Sequence, residues 1–271
     1  MGARHRARRP HRGGVSGTVP GGQSPAGYAL AGVELAIFDK DGTLIEFDRM
    51  WAGWVRELGD RLAAANRGRR LDDLVHDVMG VDVDTGRVYP HGGLAATPMA
   101  RLREALTAAV AGGGPEGPAV GPEEARRIVD AAWHAPDPVA LARPITDLPA
   151  FFTALRAAGV RIAVATSDDR EPTERTLAKL NVADLVEAIA CADDGRPVKP
   201  DPAAIQWLCH TLGVPESRTA MIGDSPADLA MGRAAGVRVV VGVLTGVGDR
   251  PTLAPAADLI VESIVDLRPP A

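Results

Sequence analysis

The architecture expected for this chain follows from one segment: Leu35-Ala36-Ile37-Phe38-Asp39-Lys40-Asp41-Gly42-Thr43-Leu44. An apolar run bounded by a glycine turn is typical of a buried strand in a parallel sheet. Asp39 and Asp41 follow this run, and residues two apart on an extended chain point the same way, so both carboxylates can converge on one centre. Close carboxylates repel unless a cation or proton lies between them. The segment therefore predicts a hard divalent ion at the strand end, and Mg²⁺ is the ion that fits best. The competing interpretation is a solvated Asp-Lys-Asp-Gly turn.

The composition indicates a folded chain of more than one compact unit. Its 271 residues suit a core plus an inserted module, and 46% hydrophobic residues exclude global disorder. A net charge of −5 argues against a generic nucleic-acid binder, and no apolar run approaches the roughly 20 residues of a membrane span. Cys191 and Cys209 lie in apolar contexts, which favours buried, reduced thiols and a cytoplasmic location.

The first 32 residues differ in kind from the rest of the chain. They contain no acidic residue, and an arginine-rich part precedes a Gly/Ser/Pro-rich part. Such a segment cannot bury enough apolar surface to fold, so residues 1–32 are expected to be a disordered basic tail. A nucleic-acid arm, a transit peptide and a start codon assigned too far upstream stay open as alternatives.

The next hundred residues carry helical patterns. Apolar spacing predicts helices over 49–65, 71–79, 99–110 and 122–133, with a Gly/Pro linker at 112–118. We expect residues 46–145 to form a helical cap inserted into a core made of residues 33–45 and 146–271.

From residue 147 onward, strand and helix patterns alternate. Strands are predicted over 161–166, 188–192, 219–223, 238–243 and 259–261, with helices over 147–158, 171–180, 202–212 and 226–235. Repeated β-α units with short links predict an α/β fold, a three-layer Rossmann-like parallel sheet with right-handed crossovers.

Three later strand ends carry polar residues that suit the first. Thr166 and Ser167 end the second strand, and Lys199 follows the third. Asp224 and Asp228 follow the fourth, four residues apart, so both can face one centre as a helix begins. Since ligands collect at the carboxyl edge of an open parallel sheet, these side chains are expected to meet at one site.

These motifs together resemble the haloacid dehalogenase-like superfamily, and specifically its helical-cap phosphatases, with phosphoglycolate phosphatase-like enzymes nearest in overall pattern. The matching motifs are Asp-Lys-Asp-Gly-Thr-Leu at 39–44, Thr166, Lys199 in Val-Lys-Pro-Asp-Pro, and Gly-Asp-Ser-Pro-Ala-Asp at 223–228. The resemblance covers residues 33–265 and implies this fold with an inserted cap.

The resemblance also implies a role for each residue. Asp39 would be the nucleophile that forms an aspartyl-phosphate, and Asp41 would protonate the leaving group and then activate water. Mg²⁺ would bind Asp39, the main-chain carbonyl of Asp41 and Asp224. Asp228 belongs to the same metal site, but orients the metal's waters or Lys199 rather than coordinating directly. Thr166 would hold phosphate oxygens, and Lys199 would balance charge.

Substrate contacts are expected from residues beside these motifs. They are Thr166, Ser167, Lys40 and Arg170. Lys40 replaces the commoner apolar residue of capped phosphatases, and could contact substrate or pair with an acidic residue of the cap. Arg170 could bind a substrate anion or pair with Asp169.

The expected function is Mg²⁺-dependent hydrolysis of a small phosphomonoester, phosphoglycolate-like or a sugar phosphate, with neither a membrane nor a nucleic acid as partner. The dehalogenase branch is disfavoured because it lacks the acid at Asp41. The phosphonate-cleaving branch needs a cap lysine, and residues 46–145 contain none. A sugar-phosphate mutase is disfavoured by the missing hinge histidine, and an inorganic pyrophosphatase stays open.

Two further classes were weighed. A receiver domain also places Asp, Thr and Lys at strand ends, but lacks the paired Asp-x-Asp-Gly-Thr and the long insertion. An inactive phosphate-binding module with a nucleic-acid-binding tail is the non-enzymatic alternative. The pattern leaves the oligomeric state open, whether monomer or homodimer.

Overall fold

A computed structural model describes residues 28–82, 85–89, 92–97, 99–113, 119–134 and 137–269. The arginine-rich part of the expected tail and most of the expected Gly/Pro linker lie outside these residues.

The described chain forms eight strands and eleven α-helices. The strands are β1 (Tyr28–Ala29), β2 (Leu35–Phe38), β3 (Arg161–Ala165), β4 (Ala188–Ala190), β5 (Thr219–Gly223), β6 (Val239–Val243), β7 (Leu259–Val261) and β8 (Leu267–Arg268). The helices that precede β3 are α1 (Phe47–Ala65), α2 (Asp72–Met79), α3 (Gly93–Ala96), α4 (Met99–Gly112), α5 (Pro122–Ala132), α6 (Pro138–Leu141) and α7 (Leu148–Ala157). The later helices are α8 (Arg170–Lys179), α9 (Ala203–Leu212), α10 (Pro226–Ala235) and α11 (Arg250–Leu253).

Six strands form one parallel sheet in the order β4-β3-β2-β5-β6-β7. The first of them, β2, lies at the centre and pairs with β3 on one side and β5 on the other. Phe38, its last residue, is level with Val164 and Ile222, so the three strands end at nearly the same height. The reversal of strand order beside β2 places the usual ligand crevice of such sheets directly above its end.

Alternate residues of each strand face opposite sides of the sheet, and each side has its own hydrophobic core. Phe38 and Ile222 belong to the cluster that contains α7, whereas Ile37 and Met221 belong to the cluster that contains α9 and α10. Helices therefore cover both faces, which confirms the predicted three-layer α/β fold.

Local chemistry places the helices that matter for the site. Ser225 begins α10 with a capping box, since its side chain accepts from the Asp228 backbone N–H while the Asp228 carboxylate accepts from the Ser225 N–H. Asp147 caps α7 through the Ala150 N–H at 3.0 Å.

The helices between β2 and α7 pack mainly on one another, with α1 and α4 both against α5. Trp54 of α1 is buried and stacks edge-on against Trp133, at 5.5 Å between ring centroids. The chain returns from these helices to the core beside α8. There the Lys179 ammonium donates to the carbonyls of Val139 and Ala140 at 2.6 and 2.9 Å.

One boundary needs correction. Residues 28–32 were expected in the disordered tail, but β1 pairs in parallel with β8, and Leu30 is only 3% exposed. A two-residue strand is too short for periodicity to reveal, and its partner lies at the other end of the chain.

Candidate active site

The polar residues that follow the central strands meet at the carboxyl edge of the sheet. Asp39 continues β2, and its N–H donates to the Ile222 carbonyl of β5 at 2.9 Å. Asp224 follows β5, and Thr166 follows β3 with its N–H bound to Ala190 at 2.9 Å. Thr166 and Lys199 line one small cavity beside these strand ends. The strand-end residues singled out from the sequence therefore surround one crevice.

Three carboxylates and one ammonium form the centre of this crevice. Oxygens of Asp39, Asp224 and Asp228 all lie within 4.8 Å of one another. The Lys199 Nζ lies 2.5 Å from Asp39 Oδ1 and 2.6 Å from Asp228 Oδ1. All three aspartates are buried, so one lysine balances only one of three enclosed charges.

This burial and crowding change the acidity of the carboxyls. Burial raises the pKa of Asp39 to about 7, against the lowering effect of Lys199, and the charges of Asp228 and Asp41 add to the rise. Burial is the largest reason that the pKa of Asp224 lies well above its ordinary value, and repulsion from Asp39 and Asp228 raises this pKa further. Burial lowers the pKa of Lys199, but Asp228 and Asp39 overcome this and raise it, so the lysine stays charged.

The donor set fits a hard cation. Asp224 uses Oδ2 to accept the Val247 N–H at 2.8 Å, whereas the one contact of its Oδ1 among the described residues is at 3.4 Å, from the Thr43 hydroxyl. Uncompensated buried carboxylates with a free oxygen are the ligands that a small divalent cation prefers. Asp228 contacts Lys199 directly, which agrees with an orienting role for its carboxylate.

Asp41 and Lys40 form a separate ion pair at the edge of the cluster. The Lys40 Nζ lies 2.6 Å from Asp41 Oδ2 and 2.9 Å from Asp168 Oδ2, and the lysine is 1% exposed. The acidic partners that the structure shows for Lys40 both belong to the core, in place of the expected pairing with an acid of the cap. Asp41 Oδ1 is buried without a hydrogen-bond partner among the described residues.

The loop after β3 lies beside this pair. The Thr166 hydroxyl accepts the Asp168 N–H at 3.2 Å, and Ser167 between them is exposed. Asp168 is the residue of this loop that contacts both Lys40 and Thr166, and the sequence analysis did not assign it to the site. Its place next to Thr166 and Ser167 was the only available signal.

Arg170 binds to β4 and to the loop that follows it. Its Nη2 donates to both oxygens of Asp194, at 2.6 and 2.8 Å, and to the Ile189 carbonyl at 3.0 Å. Among the described residues, the ion-pair partners of its guanidinium are Asp194 and Glu174 rather than the expected Asp169. Asp194 is nearly buried and also accepts from Arg196 at 2.7 Å, so the cluster fixes the loop after β4.

The loop after β6 also reaches the site and was not predicted. Val247 contacts Asp224, and the Thr245 hydroxyl donates to the Gly42 carbonyl at 2.6 Å. Two glycines, Gly246 and Gly248, follow a buried strand at the same edge of the sheet, and this pattern could have identified it.

Cys191 and Cys209 are both buried and unpaired, as expected. Within the part of the chain that the structure describes, no helix is both long enough and apolar enough to cross a membrane.

Comparison with known proteins agrees with this fold. The family model for haloacid dehalogenase-like hydrolases matches residues 33–236. The phosphoglycolate phosphatase of Rhodospirillum rubrum is 40% identical over 110 residues, which are 41% of this chain and 46% of that protein. The chain thus spans less than half the length of this relative.

Two longer matches extend over most of the chain. The phosphoglycolate phosphatase of Agrobacterium fabrum is 30% identical over 237 residues, 87% of this chain and 91% of that protein. The crystal structure of a subfamily IA hydrolase from Geobacter sulfurreducens shares the fold with a TM-score of 0.59 at 17% identity, covering 90% of this chain and 99% of the other. The resemblance noted in the sequence is therefore confirmed, and the chain belongs to the haloacid dehalogenase-like hydrolases.

Proposed function

We propose that the chain is a Mg²⁺-dependent phosphatase that hydrolyses a small phosphomonoester through an aspartyl-phosphate on Asp39. The observation that carries the proposal is the position of Lys199 between Asp39 and Asp228, beside the unbalanced charge of Asp224. A nucleophilic carboxylate must approach a phosphodianion, and this arrangement supplies both the nucleophile and the countercharge.

Mg²⁺ would be held by Asp39, Asp224 and the Asp41 main-chain carbonyl, and it would screen the negative charge of the phosphoryl group when bound. Lys199 holds Asp39 in place and adds a second positive charge. Asp228 orients Lys199 through their 2.6 Å contact.

The covalent chemistry proceeds in two balanced steps. An Asp39 carboxylate oxygen attacks phosphorus, the bond from phosphorus to the ester oxygen breaks, and the Asp41 carboxyl gives its proton to the departing alkoxide. Water then attacks the phosphorus of the aspartyl-phosphate while Asp41 takes a proton from the water. The bond between phosphorus and the Asp39 oxygen breaks, which releases phosphate and regenerates Asp39. Burial raises the pKa of Asp41, which favours the protonated form needed in the first step, against the effect of Lys40.

We propose that Thr166 and Ser167 bind the phosphate. Lys40 is not proposed as a substrate contact, because it is 1% exposed and both Asp41 and Asp168 engage its ammonium. Arg170 is not proposed, because Asp194 engages its guanidinium. The helices of residues 46–145 would act as a cap that limits entry to small substrates and excludes water during transfer.

The proposed substrate class is supported by the relatives reported above, the phosphoglycolate phosphatases of Rhodospirillum rubrum and Agrobacterium fabrum. We therefore propose a small phosphorylated metabolite of the phosphoglycolate kind. A panel containing phosphoglycolate, sugar phosphates and pyrophosphate separates these activities. A pyrophosphatase hydrolyses pyrophosphate, and a mutase isomerises a sugar phosphate instead of releasing phosphate from it.

The decisive experiment is Asp39→Asn. Loss of the nucleophile should lower kcat by about a thousandfold or more, while the thermal midpoint stays near that of the wild type. Asp77→Asn on the exposed side of α2 is the matched control, and it should keep full activity. Chelation should silence the wild type, and Mg²⁺ should restore it. Full turnover by Asp39→Asn, or activity in excess chelator, would refute the proposal.

A further inference from the structure

The loop after β6, residues 244–248, reaches across the sheet edge to the site. We name it the β6 clamp. It lies outside residues 33–236, which the family model matches, and none of the motifs described above includes it. Three of its residues donate hydrogen bonds to the site, Thr245 to Gly42 and both Val247 and Gly248 to Asp224.

The clamp first engages the carboxylate of Asp224. The Val247 N–H donates to Oδ2 at 2.8 Å, and the Gly248 N–H donates to the Asp224 main-chain carbonyl at 2.9 Å. Among the described residues, Oδ1 has only the weak contact from Thr43. One oxygen is thus occupied by the clamp, and the other is left for a cation.

Two glycines enclose the occupied oxygen. A Cβ on Gly246 would lie 2.0 Å from Asp224 Oδ2, and a Cβ on Gly42 would lie 2.6 Å from the same atom. Real Cβ atoms do not come so close, so a side chain at Gly246 would displace the carboxylate. Gly246 is therefore required for space at this point of contact.

The clamp also fixes the loop that carries Asp41. The Thr245 hydroxyl donates to the Gly42 carbonyl at 2.6 Å, and the Gly42 N–H donates to the Ile45 carbonyl at 2.9 Å. Ile45 thereby holds the peptide unit before Gly42, and the clamp holds the unit after it, which adjoins the first at the Gly42 Cα. The first of these units also contains the Asp41 carbonyl, whose direction is opposite to the Gly42 N–H in a planar trans peptide.

We propose that the β6 clamp positions two oxygen ligands of the metal, Asp224 Oδ1 and the Asp41 carbonyl, and thereby sets the affinity for Mg²⁺. The inference rests on the metal site of the proposed function. Thr245 and Val247 are positioning residues, since they act through the groups that would bind the ion. Partners that orient metal ligands commonly change metal affinity by about 10- to 100-fold when they are lost.

The test measures Mg²⁺ binding directly, in the absence of substrate. Calorimetric titration with MgCl₂ and the Mg²⁺-induced shift in thermal midpoint are recorded for Thr245→Val, Thr245→Ser and Gly246→Ala. We expect Mg²⁺ binding to weaken by about 10- to 100-fold in Thr245→Val and Gly246→Ala, whereas Thr245→Ser keeps the hydroxyl and the wild-type affinity.

Matched controls apply the same changes elsewhere. Thr107→Val removes a hydroxyl from α4, and Gly53→Ala adds a methyl where no atom lies within 4 Å. Both should bind Mg²⁺ like the wild type.

The outcomes separate the clamp from the metal site. Unchanged Mg²⁺ affinity in Thr245→Val overturns the clamp proposal alone, as does equal weakening in Thr245→Ser. A wild-type protein that binds no Mg²⁺ overturns the metal site as well. If Gly246→Ala fails to fold, the two Thr245 variants decide the matter.

Discussion

Asp224 has a charge that the metal-free protein does not balance. Among the described residues, no lysine, arginine or histidine forms an ion pair with its carboxylate, whereas carboxylate oxygens of Asp39 and Asp228 lie within 4.8 Å. Asp224→Asn removes this charge and keeps the size and the acceptor for Val247. We therefore expect the substitution to stabilise the metal-free protein while abolishing its response to Mg²⁺.

The magnitude follows from Coulomb's law. Two like charges 4.8 Å apart repel by about 3 kcal/mol at an effective dielectric constant of about 20. Attraction to Lys199 offsets part of the repulsion from Asp39 and Asp228, and an amide accepts a weaker hydrogen bond than a carboxylate. We expect a net gain of about 1–3 kcal/mol in the free energy of unfolding, or about 2–5 °C in thermal midpoint for a chain of this length.

The stabilisation expected for Asp224→Asn depends on pH. Burial, with repulsion from Asp39 and Asp228, raises the pKa of Asp224 well above its unfolded value of about 4. The folded wild type therefore binds a proton more tightly than the unfolded chain, and it loses stability as pH rises from about 4 through the folded pKa. Asparagine does not titrate, so the advantage of Asp224→Asn should grow over this range.

The assay is thermal unfolding at pH 5 and pH 8, with EDTA and then with Mg²⁺. Ligand at 100 times its Kd stabilises a protein by about 2.7 kcal/mol, so the wild type should gain a comparable amount from Mg²⁺ and the variant little. Asp77→Asn, an exposed change of the same kind, should follow the wild type throughout. An Asp224→Asn protein that is less stable than the wild type in EDTA at pH 8 would refute the repulsion argument.

Two further experiments, one substitution and one thiol-labelling measurement, test the site and its surroundings. Lys199→Met should lower the free energy of unfolding by about 3–5 kcal/mol in urea titrations, because Asp39 and Asp228 lose their buried counterion; a stability equal to that of the wild type would show that the ion pairs contribute nothing. Burial raises the pKa of the Cys191 thiol to about 11, so we expect its reaction with a disulfide reagent at pH 8 to be about 100-fold slower in the native protein than in the unfolded chain. Rapid labelling of the native protein at pH 8 would contradict that assignment.

Much of the core could be read from local pattern. Apolar runs such as the one before Asp39 identify buried strands, and the β-α alternation after Asp147 identifies a parallel sheet. Because all parallel strands end at the same edge, the sequence alone could place Asp39 and Asp224 together. The four motifs in order also sufficed to recognise the family.

Contacts between distant loops could not be read in this way. Arg170 and Asp194 are separated by a helix and a strand, and their pairing depends on how the loops after β3 and β4 fold against each other. Lys40 finds Asp168 for the same reason. The spacing of apolar residues along the chain shows which residues are buried. It does not show which of several nearby charged groups will form an ion pair with a given side chain.

The amino-acid sequence by itself determined the α/β class, the strand ends that carry chemistry and the family. Only the tertiary structure decided that Lys199 lies between Asp39 and Asp228, that β1 pairs with β8, and that Thr245 and Val247 bind Gly42 and Asp224. The physical reason is one of range. Elements arise from the periodicity of neighbouring residues, whereas hydrogen bonds and ion pairs depend on ångström-scale distances that are set only when the layers of the fold pack together.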